Sequence, residues 1–340
     1  MYTLGLETSC DETSCAVLKN TQVLSNVTIS SLNQHKKYGG VVPEVATRAH
    51  LKNIDKVLQA ALTEAKVPLK KIDLIAVTRQ PGLIGALVVG LNFAKTLALA
   101  LNKPFIGVNH LHAHLFAPFL QPVSGTKGAG HCIGKKYLSL FPFLGVVVSG
   151  GHTDFYLVKD FDQLRLIGQM QDDACGETYD KVARALNLGY PGGPVIDKMF
   201  NINCAHAFKF KCGRKNFDLS FSGIKTAVMY KKQMLEKENS FNKKACVALV
   251  SSFQYAVVEE IIATVLSAAS KYRVKTVVCG GGVAANRYLR RRLLARAQNF
   301  NCIIPEMRYT SDNAAMVAGL GFYLYNKGFR HNLKLGVVPS

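Results

Sequence analysis

The chain has 340 residues, is 49% hydrophobic and carries a formal net charge of +20. That length admits two packed domains, and that apolar content excludes a chain too polar to fold. The charge is uneven, since residues 201–300 hold 18 Lys and Arg against 5 Asp and Glu, a net +13. A surface of that kind favours a polyanion, above all nucleic acid. The nine cysteines are odd in number and show no CxxC spacing. They argue against a disulfide framework or a zinc finger, and for a reducing, cytoplasmic setting.

In chain order, "MYTLGLETSC" opens as a strand and a turn rather than as a leader. The turn "SCDET" carries Asp11 and Glu12. Such a pair can hold a cation, position a hydroxyl or take a proton; it is equally what an ordinary surface turn contains. From Ile72, "IDLIAVTRQPGLIGALVVGLNFAK" reads as a buried strand, a glycine turn and a helix. The apolar run "IGALVVGLNFAKTLALAL" is cut by Lys95 and dotted with glycine, so a buried helix is expected, not a membrane span.

"KPFIGVNHLHAHLFAPFL" predicts a strand over Phe105 to Val108, Asn109 as a helix cap, and then a helix. His110 and His114 are four apart and share a helix face, close enough for one metal ion. His112 points elsewhere. A zinc peptidase of the HExxH type needs glutamate directly after the first histidine, and Leu111 stands there. A carboxylate commonly completes a two-histidine shell. Asp312, before an expected helix over 312–326, is the candidate, although an acid at a helix start is also an ordinary dipole partner. A seam between two halves is expected near 118–136.

"LGVVVSGGHTDFYLVKD", from Leu144, matches "LGLETSCDETSCAVLKN", from Leu4, at five of 17 aligned positions, 140 residues apart. Each reads as strand, polar turn, strand, so two halves that each begin with a hairpin are expected. The second turn is glycine-rich and suits close backbone approach to a ligand. In 172–198, Asp180 and Lys181 begin an expected amphipathic helix, "YPGGP" forms a sharp loop, and Asp197 follows. Acids beside a glycine loop can bind ribose hydroxyls or form a surface salt network. A long helix is expected over 242–272. "GGGVAANRYL" places three glycines before a helix, with Asn286 as a hydrogen bonder to a nucleotide. It fits neither the dinucleotide fingerprint nor a Walker loop. Basic residues interleave with aromatics at 209–217, 230–232 and 286–297, which suits RNA. In the last of these Leu289, Leu293 and Leu294 are expected to face a core, with the arginines on the wet side.

Ten motifs in order give the chain a resemblance to a known family. They are "GLETSCDETS", "YGGVVPEVATRAH", "PGLIGAL", "NHLHAH", "VSGGHT", "DDACGETYDKVA", "YPGGP", "LSFSGIKTA", "GGGVAANRYLR" and "SDNAAM". Along nearly its whole length the chain resembles the TsaD/Gcp proteins, the tRNA N6-adenosine threonylcarbamoyltransferases, in their bacterial form. The resemblance implies an α/β fold of the actin/Hsp70/sugar-kinase (ASKHA) type, two duplicated ribonuclease-H-like domains around a central cleft. The expected halves are 1–125, with a C-terminal helix of about 313–340 packing back on it, and 126–312.

The resemblance further implies one divalent metal, Fe(2+) above Zn or Mn, held by His110, His114 and Asp312. Threonylcarbamoyl-AMP would be held by Val147, Val148, Ser149, Gly150, Gly151, Asp180, Gly193, Asp197 and Asn286. Asp11, Glu12 and His152 are the expected catalytic groups. The adenosine beside the anticodon of tRNAs reading ANN codons would be the acceptor. Expected partners are tRNA, a TsaB-like paralogue and a TsaE-like ATPase, with no membrane. Two other readings stand beside it, a metalloendopeptidase and a non-catalytic nucleotide-binding scaffold. Leu111 weighs against the first and the histidine pair against the second.

Overall fold

A computed structural model describes residues 1–121, 139–296 and 300–339. In chain order it begins with β1 (Tyr2–Glu7), β2 (Glu12–Lys19), β3 (Gln22–Ser30), the single turn α1 (Leu32–His35) and α2 (Pro43–Ala65). β4 (Leu74–Gln80), α3 (Ile84–Leu101), β5 (Phe105–Asn109) and α4 (His110–Phe116) follow. Then come β6 (Phe143–Val148), β7 (Thr153–Asp160), β8 (Gln163–Gly168), α5 (Cys175–Ala185) and α6 (Gly192–Met199). β9 (Gly213–Lys215) and β10 (Asp218–Ser220) form a short hairpin before α7 (Ser222–Lys237) and α8 (Lys243–Tyr272). β11 (Thr276–Gly280), α9 (Arg287–Arg296), β12 (Asn301–Ile303) and α10 (Ala314–Asn326) complete the order.

The chain divides into two units, Met1–Tyr137 with Pro305–Ser340, and Leu138–Ile304. The first sheet has strand order β3-β2-β1-β4-β5, and the second β8-β7-β6-β11-β12. In each, three antiparallel strands are followed by two parallel ones. The register repeats residue by residue. Leu4 pairs with Val17 and Leu144 with Leu157; Gly5 pairs with Ala16 and Gly145 with Tyr156. The 140-residue offset read from five identities therefore holds through a hairpin whose other side chains differ. The junction expected at 125/126, and most of the 118–136 seam, lie outside the described residues.

In the first unit both faces of the sheet are covered, which is why β1 and β4 read as apolar runs rather than alternating ones. Leu4, Leu6, Ile75 and Val77 pack with Val57 and Ala61 of α2 and Leu91 and Ala94 of α3. The opposite face meets α10 at very short range. A Cβ on Gly5 would lie 2.2 Å from the Ala314 carbonyl oxygen, and one on Gly321 would lie 2.4 Å from Ala76 Cβ. Only glycine admits that approach, and it brings the start of α10 onto the hairpin.

The second unit has its own core. Leu144, Val146, Phe155 and Val277 pack with Tyr179 of α5, Phe253 and Val257 of α8, and Leu289 of α9.

Several local expectations stand, among them Asn109 as a cap and the helices over 242–272 and 312–326. Others do not. α5 begins at Cys175, so Asp180 lies within the helix rather than at its start. Leu294 is 56% exposed while Leu289 and Leu293 are buried, so the core-facing stripe of α9 is narrower than expected. α3 buries Ala86, Leu87, Leu91 and Ala94 but leaves Ile84 60% and Leu99 70% exposed. Its inner side alone is covered, by β4 and α2. α3 and α8 are long and apolar enough to cross a membrane by length and composition; the apolar stretch of α8 is 61% buried and that of α3 33%.

Candidate functional site

α4 starts where β5 ends, and Asn109 closes the junction. Its Oδ1 accepts from the backbone N–H groups of Leu111 at 2.8 Å and His112 at 3.1 Å. Those are donors a helix start leaves without partners. The cap fixes the phase of the helix, so His110 and His114 project to one side, their rings 4.6 Å apart and near perpendicular.

Asp312 reaches them from the turn before α10. Asn313 caps α10, its Oδ1 accepting from Met316 N at 3.0 Å, so Asp312 does not serve as the cap. The next two amides are pinned to the first sheet, Ala314 N donating to Ser14 Oγ and Ala315 N to Asn26 Oδ1. Held this way, Asp312 Oδ1 sits 3.0 Å from His114 Nε2 and 3.4 Å from His110 Nε2. Asp312 thus belongs to the same unit as the histidines, whereas the half ending at residue 312 placed it with the other one. The reason is that the chain re-enters the first unit at Pro305.

Glu7, at the end of β1, stands behind His110. Its Oε2 accepts from His110 Nδ1 at 2.9 Å and from Thr78 Oγ1 at 2.6 Å; its Oε1 accepts from Ser9 N at 2.6 Å. A carboxylate behind Nδ1 leaves Nε2 as the ring nitrogen that faces Asp312. This is the support a metal-bound imidazole ordinarily has. Burial alone pushes the Glu7 carboxyl up, but the charge and hydrogen bond of His110 outweigh it and hold it low. Burial likewise opposes charge on His110, but Asp312 and Glu7 raise it well above its ordinary value. Burial lowers His114. Asp312 is held low: burial opposes this, and His110 and His114 prevail.

The donor set fits a divalent transition metal. Ligand atoms of His110, His114 and Asp312 lie within 4.8 Å of one another, and His114 Nδ1 is buried with no hydrogen-bond partner among the described residues. Two imidazoles and a carboxylate suit iron, zinc or manganese, and three protein ligands leave positions open. His112 stays outside this cluster, and burial pushes it down to about 4.

Asp11 ends the turn between β1 and β2, and Glu12 opens β2. His50 braces that turn, with Nδ1 2.9 Å from Thr13 Oγ1 and Nε2 3.0 Å from the Cys10 carbonyl oxygen. Burial, then the charges of Asp312 and Asp11, raise the Glu12 carboxyl well above its ordinary value.

The remaining candidates lie in the second unit. The β6–β7 turn closes with Ser149 N donating to the His152 carbonyl oxygen and His152 N to Ser149 Oγ. A Cβ on Gly150 or Gly151 would meet nothing within 4 Å, so their backbone borders open space. The same holds for Gly193 and Gly282. Gly281, at φ +94°, packs on the end of β6, where a Cβ would lie 2.4 Å from the Val148 carbonyl oxygen. Both glycine turns thus sit at the carboxyl ends of adjacent parallel strands, where open α/β sheets bind ligands. α5 packs on the first of them through Gly176 N, which donates to the Ser149 carbonyl oxygen.

Two side chains there already make hydrogen bonds within the unit. Asp180 Oδ1 accepts from Gly192 N at 2.6 Å and so secures the start of α6; burial raises its carboxyl. Asn286 donates to Gln254 Oε1 and accepts from Leu289 N, so both ends of its amide are occupied. The buried Gln254 also donates to Asp197 Oδ1, tying Asp197 and Asn286 into one network, and Arg287 Nε lies 2.8 Å from Asp197 Oδ2. Glu7, His50 and Gln254 were not singled out from the sequence. A charged residue closing an otherwise apolar strand was the available signal for Glu7.

Comparison with known proteins gives the chain a family and a fold. The family model described as "TsaD: tRNA N6-adenosine threonylcarbamoyltransferase" matches residues 22–319. The chain is 46% identical to the protein of that name from Dictyoglomus turgidum, over 100% of this chain and 98% of the relative. It is 45% identical to that from Thermosipho africanus, over 100% and 99%. Among solved structures, component A of (R)-2-hydroxyglutaryl-CoA dehydratase from Acidaminococcus fermentans superposes with a TM-score of 0.53 at 14% identity, covering 96% of this chain and 98% of that one. HypF from T. kodakarensis does so at 0.59 and 14% identity, covering 96% and 47%. These likenesses are of fold, and they agree with the α/β ASKHA class expected from the sequence. The chain belongs to the TsaD family of tRNA N6-adenosine threonylcarbamoyltransferases.

Proposed function

We propose that the chain transfers the threonylcarbamoyl group of threonylcarbamoyl-AMP to N6 of the adenosine adjacent to the anticodon in tRNAs reading ANN codons. The N6 lone pair forms a bond to the carbamoyl carbon, the C–O bond of the mixed anhydride breaks, and AMP leaves with that electron pair. The amine loses one proton. Family membership over the full length and the convergence of His110, His114 and Asp312 in front of Glu7 carry this reading.

His110, His114 and Asp312 would hold the metal, Fe(2+) in first place. It would supply Lewis acidity and a template for orienting the donor. Glu7 keeps the His110 ring in the orientation and tautomer that this requires. Glu12, with its carboxyl raised by burial, is suited to exchange a proton nearer neutral pH, with Asp11 beside it. In the second unit, the backbone at Gly150, Gly151, Gly193 and Gly282 is open to the donor's phosphate and sugar, with Val147, Val148 and Ser149 forming the strand end beneath and His152 closing the turn. Asp180, Asp197 and Asn286 shape that corner through their hydrogen bonds.

The resemblance adds a TsaB-like paralogue and a TsaE-like ATPase as partners and the cytoplasm as the location. Exposed Leu51, Ile84 and Val88 on α2 and α3 offer apolar surface of the kind a protein partner covers.

To test this, the chain and its partners are incubated with threonylcarbamoyl-AMP and unmodified tRNA, and the nucleosides are analysed by mass. The modified adenosine is expected with wild type and lost with His110→Ala plus His114→Ala. Undiminished product from that double variant would remove the role assigned to the histidines.

A further inference from the structure

Of the three basic clusters along 201–300, two have different fates in the fold. The arginines of α9 are largely engaged within their own unit. Arg292 pairs with Glu259 at 2.5 Å, Arg287 with Asp197 at 2.8 Å, and Arg291 lies over the Tyr288 ring at 5.5 Å. In contrast, Lys209, Lys211 and Lys215 are exposed, and among the described residues none of them meets a carboxylate.

The first of these, Lys209, borders a hollow of about 400 Å³ between the segment 207–210 and α7. Half-buried Phe208 and Phe210, their rings 6.2 Å apart, contribute aromatic surface. Tyr230, 64% exposed, and Met234, 50% exposed, add to its lining on α7. Lys209 and Lys231 line it as well, Lys231 Nζ lying 5.4 Å from the centre of the Phe208 ring. Among the described residues no acidic one lines it. Apolar rings serve a stacked base, and Lys209 and Lys231, neither of which meets a carboxylate among the described residues, serve the phosphates on either side of it. The combination is that of a single-strand nucleic-acid platform. A protein surface complementary to the same hollow would need acids opposite the lysines and an apolar plug between them. The positive excess of this whole region favours the polyanion.

We propose that this hollow receives an unpaired nucleotide of the tRNA, its base against Phe208, Phe210 and Tyr230 and its phosphates against Lys209 and Lys231. The inference rests on the tRNA-directed function proposed above, and adds the surface that grips the acceptor.

The test measures equilibrium binding of unmodified tRNA to the full chain with its partners, over a salt series. Tyr230→Ala is expected to weaken binding about tenfold with little change in salt slope, since it removes stacking and no charge. Lys209→Gln plus Lys231→Gln is expected to make the negative slope of log affinity against log salt shallower by about 1.4 to 1.8, the share of two phosphates. Lys56→Gln, an exposed lysine on α2, serves as the control with neither effect. All the side chains replaced are at the surface, and a melting curve on each variant excludes unfolding. tRNA affinity and salt slope equal to wild type in both hollow variants would overturn the proposal. So would loss of partner-protein binding with tRNA affinity intact, which would assign the hollow to a protein. Absence of the modified nucleoside from the wild-type reaction would count against acyl transfer instead, because the binding comparison is read without turnover.

Discussion

The Glu7 carboxylate accepts the Nδ1–H of His110 at 2.9 Å, across 103 residues of sequence, and is itself held by Thr78 and Ser9. A carboxylate in that position sets the ring's tautomer and raises its basicity as a ligand. Glu7→Gln is therefore expected to weaken metal binding about 10- to 100-fold. Metal titration of the stripped protein reads this directly, apart from any activity. Unchanged affinity would show that Glu7 only fills space at the end of β1.

The outer histidines and the middle one should separate cleanly. His110→Ala plus His114→Ala is expected to abolish bound metal, and His112→Ala to leave it in place. Elemental analysis of the purified proteins decides between this and any arrangement in which His112 takes part.

Gly281 and Gly282 are neighbours with opposite tolerance. Gly281→Ala places a methyl 2.4 Å from the Val148 carbonyl oxygen at φ +94°. It is expected to cost about 2 kcal/mol or more and to lower the midpoint of thermal unfolding. Gly282→Ala meets open space and should change stability by less than about 1 kcal/mol. Equal midpoints for the two variants would contradict the close packing of the β11 turn on β6.

Asp172 links the segment before α5 to the start of α7. It accepts from the backbone N–H groups of Phe221 and Ser222 and from the hydroxyls of Ser220 and Ser222. Partial burial opposes its charge, but the Ser220 and Ser222 hydroxyls and the two amides outweigh it and lower the carboxyl below its ordinary 3.8. A carboxyl lowered on folding contributes stability that is present above its unfolded value and lost as pH falls through the folded one. Asp172→Asn should thus cost about 1 kcal/mol at neutral pH, a modest figure for an exposed group. The gap from wild type should close below about pH 4. Denaturant melts at pH 7 and pH 3 check the sign, and a gap that widens in acid refutes it.

The sequence by itself determined the features that depend on neighbours along the chain. The i, i+4 spacing put His110 and His114 on one face, Asn109 announced the helix start, and a 140-residue offset disclosed two hairpins of one register. Each follows from backbone period or local hydrogen bonding, which a few adjacent residues control. Residue chemistry offered Asp312 as a partner for the histidines, and ordered motifs then carried the family, which implies the same ligand set.

What only the tertiary structure decided is which side chains are already engaged and which unit they belong to. Asp312 reaches the histidines inside the first unit because glycines at 5 and 321 let α10 lie against β1 and β4, and because Ser14 and Asn26 hold its first amides. Glu7 supports His110, and Gln254 joins Asp197 to Asn286, through contacts between residues tens to hundreds of positions apart. Asp180 and Asn286 carry the chemistry of ligand binders, yet their polar atoms hold helix ends and a neighbouring amide. Residue type states what a side chain can bond; packing over long sequence separations sets what it does bond.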